Sequence, residues 1–231
     1  MSLLSFVIIC ALPLEYNAVS LLYQYGHATS DTNLYTTRQI GKHNVLFPGL
    51  KFAFFAGVCG GTPKYPEIGD EILLGGVVIS KTAVGYDFGR QNPGSFVCKD
   101  TLDDNLGRPN RDICSLLASY LHKHHGLSPY VCEDCNRFPH SIFKMAHDTI
   151  IRLGRIASGD IVMKSEEHRE TLVQNEKVIS FQMESAGIWD EGVSDYADSH
   201  KNNQWQDFAV LMSASTIKAL LERYIGTKRR R

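Results

Sequence analysis

Apolar residues along this chain fall into two patterns, and the alternation of these patterns predicts an α/β sheet. Short apolar runs bounded by Gly, Pro or polar residues are typical of buried strands, whereas apolar residues at helical spacing are typical of amphipathic helices. Strands are predicted over 5–11, 51–58, 71–80, 153–157 and 178–183, with 83–88 as a continuation of the sheet. Helices are predicted over 14–23, 112–122, 166–176 and 208–224, and a hairpin over 36–47. Strands that alternate with helices favour a layered α/β fold.

Length and charge limit the classes of protein that fit this pattern. The chain has 231 residues, of which 43% are hydrophobic, and its formal net charge is −1. This apolar content suffices for one domain over 1–231, with an irregular insert at about 123–150 and a basic tail at 228–231. A general nucleic-acid binder would show a basic face, so no nucleic-acid partner is expected.

The amino-terminal apolar segment and the cysteines both predict a cytoplasmic protein without a membrane partner. Residues 3–12 are followed by Pro13 and Glu15, and they lack the basic region and cleavage site of a signal peptide. A buried strand is the better interpretation of this segment. The six cysteines are scattered, and Cys10 and Cys59 lie in apolar segments, which favours reduced thiols over disulfides.

One close cysteine pair, Cys132 and Cys135, requires separate consideration. Two cysteines and two histidines can hold zinc, but the histidine spacing here matches no regular zinc finger. A plain surface loop is therefore the simpler interpretation, zinc remains the alternative, and we assign no metal ligand and no cofactor. The flanking histidines are His122, His124, His125, His140 and His147.

Candidate chemistry collects where the predicted strands end. Glu15 follows the first strand, Gly60 and Gly61 follow the second, and Glu184 follows the strand at 178–183. Asp195 lies in a further cluster at 193–200. Ligands of open α/β sheets bind beyond the carboxyl ends of strands. Each feature alone also fits a structural role, as a helix-dipole partner, a glycine turn or a helix cap.

Three carboxylates of this kind suit the cleavage of an N-glycosidic bond. In that reaction positive charge develops on the sugar and negative charge on the departing base. One carboxylic acid can protonate the base, a second carboxylate can take a proton from water, and a third can accept hydrogen bonds from ribose hydroxyls. Asp195, Glu15 and Glu184 are the candidates for these roles, in that order.

Six segments then occur in a fixed order along the chain. They are Ile-Ile-Cys-Ala-Leu-Pro-Leu-Glu at 8–15, Gly-Val-Cys-Gly-Gly at 57–61, Tyr-Asp-Phe-Gly at 86–89, Ile-Ala-Ser-Gly-Asp at 156–160, Met183-Glu184, and Ser-Asp-Tyr-Ala-Asp-Ser-His-Lys-Asn at 194–202. Together they resemble the nucleoside phosphorylase/nucleosidase superfamily, in particular its fungal-type branch, which is similar to 5′-methylthioadenosine/S-adenosylhomocysteine nucleosidases. The resemblance implies a three-layer α/β/α sandwich with a mixed central sheet, which forms a homo-oligomer.

The resemblance also implies a role for individual residues. Asp195 corresponds to the proton donor to the purine, Glu15 to the residue that activates water, and Glu184 to the ligand of the ribose hydroxyls. Trp205 corresponds to an aromatic beside the purine or the 5′ substituent, although a half-buried packing role fits it equally well. The further substrate-binding positions are Met183 under the sugar, Cys59 and Gly60 on the glycine-rich floor, Val162 and Met163 in the base pocket, and Ser194 beside the acid.

The chain also departs from the family pattern. Residues 189–192 lead straight into the acid motif, which predicts that one strand is missing, and a helix before residue 49 is expected to be absent too. Gln182 stands where the family tends to have Glu. The missing strand keeps open a catalytically inactive nucleoside-binding or regulatory module as the alternative to an enzyme.

For an enzyme, the sequence favours hydrolysis over phosphorolysis. The turn at 11–14 has neither the Gly nor the Arg that phosphate binding normally requires. The expected substrate is a purine nucleoside or nucleotide. Adenosine, inosine, 5′-methylthioadenosine, S-adenosylhomocysteine and ATP all remain open.

Overall fold

A computed structural model describes residues 5–25, 50–66, 69–87, 89–93, 95–98, 151–183 and 190–228. The helices within these ranges are α1 (Pro13–Tyr25), α2 (Glu166–Glu176) and α3 (Gln206–Lys228). The strands are β1 (Ser5–Ile9), β2 (Leu50–Gly61), β3 (Val77–Gly85), β4 (Gly89–Asn92), β5 (Ser95–Cys98), β6 (Ile151–Ser158), β7 (Val178–Gln182) and β8 (Asp190–Asp195). The predictions at 36–47, 112–122 and about 123–150, together with Cys132, Cys135 and Glu184, lie outside the described residues.

The central sheet is mixed, as the sequence predicts. Its strand order is β1-β2-β7-β6-β3-β8, and a further pairing of β2 with β8 closes five of the strands into a ring. Strand β2 is parallel to β1 and β8, and β6 is parallel to β3 and β7. The β2–β7 and β3–β8 pairs are antiparallel, and β4 and β5 form a separate hairpin.

The prediction that a strand is missing before the acid motif is wrong, because β8 fills that place. Residues Ala56–Gly60 of β2 pair with β8 on one side, and Val77 and Val78 of β3 pair with it on the other. The sequence hides this strand because it contains Glu191, an acidic residue that would normally indicate an exposed segment. In the fold, Glu191 is completely buried. The predicted absence of a helix before residue 49 lies outside the described residues.

Strand β3 is also shifted from its prediction. It begins at Val77 and not at 71, since Glu71 forms only an isolated bridge with Lys64. Helix α2 has the bounds that the sequence predicts, and its caps explain why. Ser165 accepts a hydrogen bond from the His168 N–H at the start, and Lys177 adopts a left-handed φ of 55° at the end.

The core has two main parts around the sheet. Helices α1 and α3 pack together and against β2 and β3, through residues such as Leu22, Phe54 and Ile217. Helix α2 contacts β7, and the three-layer sandwich stays a prediction. None of the described helices combines the length and hydropathy that a membrane crossing needs. A separate cluster takes one residue from each strand of the ring and therefore fills its interior: Cys59, Val78, Ile156, Ile179 and Val193.

Candidate active site

The ends of four strands meet in one row, and this row carries several of the predicted site residues. Gly60 of β2 is the register partner of Asp195 in β8 and also of Phe181 in β7. Phe181 is in turn the register partner of Ala157 in β6. Neighbouring strands lie about 4.8 Å apart, so the row spans roughly 14 Å. Asp195, Gly60 and the residues that follow β6 and β7 therefore belong to one region.

Asp195 is held in place by its own turn. Its side chain is 4% exposed, its Oδ2 lies 2.9 Å from the Ser194 hydroxyl, and its Oδ1 accepts the Ala197 N–H at 2.9 Å. The Ser194 hydroxyl also lies 3.2 Å from the carbonyl oxygen of Cys59. Ala197, whose N–H donates to the carboxylate, has a left-handed φ of 51°. Ser194 thus contacts the Asp195 carboxylate directly.

Gly60 is required because the acid turn packs directly on β2. A Cβ at this position would stand 2.9 Å from Asp195 Oδ1 and 2.8 Å from the Cβ of Ala197. Distances of this kind are shorter than side chains tolerate, so a larger residue would displace the carboxylate. The glycine lets the backbone floor approach the acid closely.

Two cations that the sequence analysis did not assign also hold this turn. Lys201 Nζ lies 3.2 Å from Asp195 Oδ2. Arg169 of α2 is 2% exposed, donates to the Tyr196 carbonyl at 2.7 Å, and lies 3.8 Å from Asp198 Oδ2. Lys201 belongs to the 194–202 motif, which could have indicated it. No sequence signal pointed to this role of Arg169, because Tyr196 and Asp198 lie 27 and 29 residues further along the chain.

Glu15 lies buried at the start of α1, with 2% of its surface exposed. Its Oε2 accepts the Ala11 N–H at 2.7 Å and the Leu12 N–H at 2.9 Å, so the side chain caps its own helix. Its Oε1 lies 3.6 Å from where a Cβ on Gly57 would be. Gly57 and Gly60 are separated by about 10 Å along β2. Glu15 and Asp195 thus both contact this strand, at positions about 10 Å apart along it.

The predicted base-pocket segment follows β6 and is supported by Tyr86 and Asp87. The Tyr86 hydroxyl donates to the carbonyl oxygen of Ile161, and Asp87 accepts the Asp160 N–H. Burial, followed by the charges of Asp87 and Asp160, raises the pKa of Tyr86 to about 12, so the phenol keeps its proton. The segments at 86–89 and 156–160, two of the six that carry the family resemblance, therefore pack on each other. Beyond them, Val162 is 40% exposed.

Met163 and Met183 differ in burial, since Met163 is buried and Met183 is exposed. Met163 is buried in a cluster with Ala157, Phe181 and Ala197, all of which belong to the row or its turn. Met183 is 45% exposed and follows β7 directly. An exposed thioether next to the row suits contact with a ligand.

Gln182 and Ser158 form a polar pair that the sequence analysis did not assign. They are register partners at the ends of β7 and β6, and 5% and 2% of their surfaces are exposed. Among the residues the structure describes, neither the Gln182 amide nor the Ser158 hydroxyl has a hydrogen-bond partner. Buried polar atoms of this kind are normally satisfied by water or ligand.

Cys10 and Cys59 are protonated thiols, and Trp205 packs against another aromatic ring. Burial, then the charge of Glu191, raises the pKa of Cys59 well above its ordinary value, and burial with Glu15 raises that of Cys10 to about 12. Both thiols therefore stay protonated and unreactive. Trp205 packs edge-on against Phe208 with ring centroids 5.9 Å apart. In the described part of the chain, no group of His, Cys, Asp and Glu forms a metal site.

The chain is similar in sequence to a longer fungal protein. No family model matches the chain. A nucleotide-binding leucine-rich repeat (NLR)-like protein of Hyaloscypha variabilis is 25% identical over 285 residues, which cover 92% of this chain and 28% of that protein. The chain thus spans little more than a quarter of this relative. The aligned stretch exceeds the 231 residues of this chain, so parts of it have no counterpart here.

Solved structures match over nearly the whole chain. A variant 5′-methylthioadenosine/S-adenosylhomocysteine nucleosidase of Helicobacter pylori, with 5′-methylthioadenosine in its active site, has a TM-score of 0.61 at 14% identity, covering 95% of this chain and 99% of that one. The futalosine hydrolase of the same organism has a TM-score of 0.56 at 15% identity, covering 95% and 98%. The chain therefore has the fold of these solved nucleosidase and hydrolase structures.

Proposed function

We propose that this chain is a nucleosidase-type enzyme, an N-ribosyl hydrolase that cleaves the N-glycosidic bond of a purine nucleoside or nucleotide with water. The observation that carries the proposal is the row of strand ends, where Asp195 is buried against Gly60 and fixed by Ser194 and Ala197. A carboxyl group whose position is fixed in this way suits a general acid. The proposal is also supported by the fold that the chain shares with solved nucleosidases.

In the proposed reaction the bond between C1′ and the base nitrogen breaks, and its electron pair goes to the base. Asp195 gives its proton to a ring nitrogen, which makes the base a neutral leaving group. Water forms the new bond to C1′ and loses one proton to Glu15. Solvent then carries a proton from Glu15 back to Asp195, so the products are free base and ribose and the protein is unchanged.

Further residues would bind the substrate around this centre. Glu184 would accept hydrogen bonds from the ribose hydroxyls, Met183 would pack under the sugar, and Val162 with Met163 would border the base. Cys59 and Gly60 would form the floor, and Ser194 would orient the acid. For Trp205, contact with the purine or 5′ substituent stays a prediction beside its packing on Phe208.

Water is favoured over phosphate by the position of Glu15. The start of a helix normally offers backbone N–H groups to a bound anion. Here the Ala11 and Leu12 N–H groups already donate to the Glu15 carboxylate. A phosphate at this turn would meet a negative charge and occupied donors. Glu15 would thus both exclude the anion and accept the proton from water.

The alternative, an inactive nucleoside-binding module, loses its main sequence argument because β8 is present. The homo-oligomer and the cytoplasmic location stay predictions.

The proposal is tested by incubating the protein with adenosine, inosine, 5′-methylthioadenosine, S-adenosylhomocysteine and ATP, each with and without phosphate. We expect release of free base and a free reducing sugar at rates that phosphate does not change. Glu15→Gln should reduce the rate about 100-fold or more, because it removes the proton acceptor. Appearance of a sugar 1-phosphate would contradict hydrolysis, and calorimetric binding without any base release would leave only the binding module.

A further inference from the structure

Lys201 lies within the 194–202 segment, yet the proposed reaction gives it no role. Its ammonium group is 3.2 Å from Oδ2 of Asp195, the oxygen that the Ser194 hydroxyl also contacts. The lysine side chain is 29% exposed, whereas the Asp195 side chain is 4% exposed. The pair therefore joins a buried carboxylate to a cation at the boundary with solvent.

The local fold explains why the lysine returns to the acid after six residues. Ala197 turns the chain through its left-handed conformation, and the Lys201 N–H then donates to the Asp198 carbonyl at 3.3 Å. Asp198 also accepts the His200 N–H at 2.8 Å, which tightens the same turn. The other nearby cation, Arg169, is bound to Tyr196 and Asp198 instead of Asp195. Among the described residues, Lys201 is thus the cation paired with the acid.

We propose that Lys201 is a positioning residue for Asp195, which orients its carboxyl group and balances the negative charge that appears when the proton leaves. This inference rests on the proposed function. In the protonated form that gives its proton to the base, Asp195 is uncharged and Lys201 faces a neutral group. After transfer a carboxylate faces the ammonium, so the attraction is larger in the transition state than in the ground state. An interaction of this kind increases the rate of the chemical step.

Other titratable groups near Asp195 do not balance its negative charge. Glu191 of β8 carries the same sign as Asp195. The Cys59 thiol of β2 keeps its proton because burial and neighbouring carboxylates, Asp195 among them, raise its pKa. His200 is 91% exposed and faces Asp198.

The test compares two substrates that differ in the need for an acid. A purine nucleoside requires protonation of its base, whereas 4-nitrophenyl β-D-riboside has a leaving group that departs as a stable anion. We expect Lys201→Met to lower kcat for the nucleoside about tenfold and to change kcat for the nitrophenyl riboside less than about threefold. Lys201→Arg should retain most of the activity on both, since it keeps the charge. Lys81→Met, at an exposed lysine of β3, is the matched control and should match the wild type.

Two outcomes would overturn the inference. An equal loss on both substrates would show that Lys201 only maintains the fold of the turn, and an unchanged kcat for the nucleoside would show that its charge has no effect.

A second readout does not depend on activity. Acetic anhydride labels neutral amines, so a carboxylate partner should slow the labelling of Lys201. Asp195→Asn should raise the labelling of Lys201 about threefold or more, measured by mass spectrometry, and leave that of Lys81 unchanged. Equal labelling of Lys201 in both proteins would overturn the ion pair. If the wild type releases no base, the proposed function fails, and the labelling result still decides whether Lys201 is paired with Asp195.

Discussion

Two glycines on neighbouring strands, Gly192 of β8 and Gly60 of β2, both permit a close approach, but the approaching groups differ. A Cβ on Gly192 would lie 1.9 Å from the carbonyl oxygen of Ala209, in the backbone of α3. A Cβ on Gly60 would lie 2.9 Å from Asp195 Oδ1 and 2.8 Å from Ala197 Cβ. The first contact packs α3 on the sheet, and the second packs the Asp195 carboxylate against β2. Three residues along β8 thus separate a contact with a packed helix from a contact that involves the Asp195 carboxylate.

The largest effect on stability is expected from Gly192→Ala. The new methyl group would overlap the backbone of α3, which cannot move without leaving the sheet, so the free energy of unfolding should fall by about 3 kcal/mol. Urea unfolding of the purified protein measures this. Gly69→Ala is the control, since its φ is 73° but no atom lies within 4 Å of the added Cβ. The control should lose only about 1 kcal/mol; an equal loss in both variants would mean that α3 does not press on Gly192.

Arg169→Met should have the next largest effect on stability. The change removes the hydrogen bond to the Tyr196 carbonyl and the contacts with Glu170 and Asp198, so we expect a loss of about 2 kcal/mol. Arg155→Met is the control, because its guanidinium is 34% exposed and 3.9 Å from Glu176. That variant should lose less than about 1 kcal/mol. Similar unfolding curves for both arginine variants would contradict a bracing role for Arg169.

The sequence predicts helix α2 better than strand β8. Helix α2 could be predicted residue for residue, because Ser165 and the acidic first turn are local signals. Strand β8 could not, because the burial of Glu191 depends on β2 and β3 on either side of it. At the site, Asp195 and Ser194 were predicted from a motif. The contacts of Lys201 and Arg169 depend on a left-handed turn and on a distant helix, and no local pattern encodes them.

Alkaline pH should lower the free energy of unfolding through Cys59, which lies inside the ring of strands. This effect should fall between those of Arg169→Met and Gly60→Ala. Burial raises the pKa of Cys59 well above its ordinary value, with the charge of Glu191 as a further cause. The unfolded thiol ionises first as pH rises, so the folded state holds more protons and the free energy of unfolding falls. The contribution should be about 1–2 kcal/mol at about pH 10.

Urea unfolding at about pH 8 and about pH 10 measures this for the wild type and Cys59→Ala. Cys10 and Tyr86, whose pKa values are about 12, shift stability in the same direction in both proteins. The difference between the two slopes therefore isolates Cys59. Parallel slopes would contradict a protonated thiol in the ring.

Gly60→Ala should have the smallest effect on stability and thereby sharpen the comparison. Its neighbours are the Asp195 carboxylate and the buried Cβ of Ala197, which lie at the end of β8 and in the turn after it and not in a helix packed on the sheet, so the expected loss is about 1 kcal/mol. The displaced acid should nevertheless lower base release at least tenfold. Enzyme assays and urea unfolding on the same preparation check both parts. A loss of stability as large as that of Gly192→Ala would remove the distinction between the two glycines.

The most direct test of the central claim is base release from adenosine, or from the best substrate of the panel, by Asp195→Asn and by Asp207→Asn. Asp207 is an exposed carboxylate in the first turn of α3 and serves as the matched control. The account predicts that Asp195→Asn folds normally yet releases base about 1,000-fold more slowly than the wild type, while Asp207→Asn keeps full activity. Wild-type rates of base release in a folded Asp195→Asn protein would contradict it.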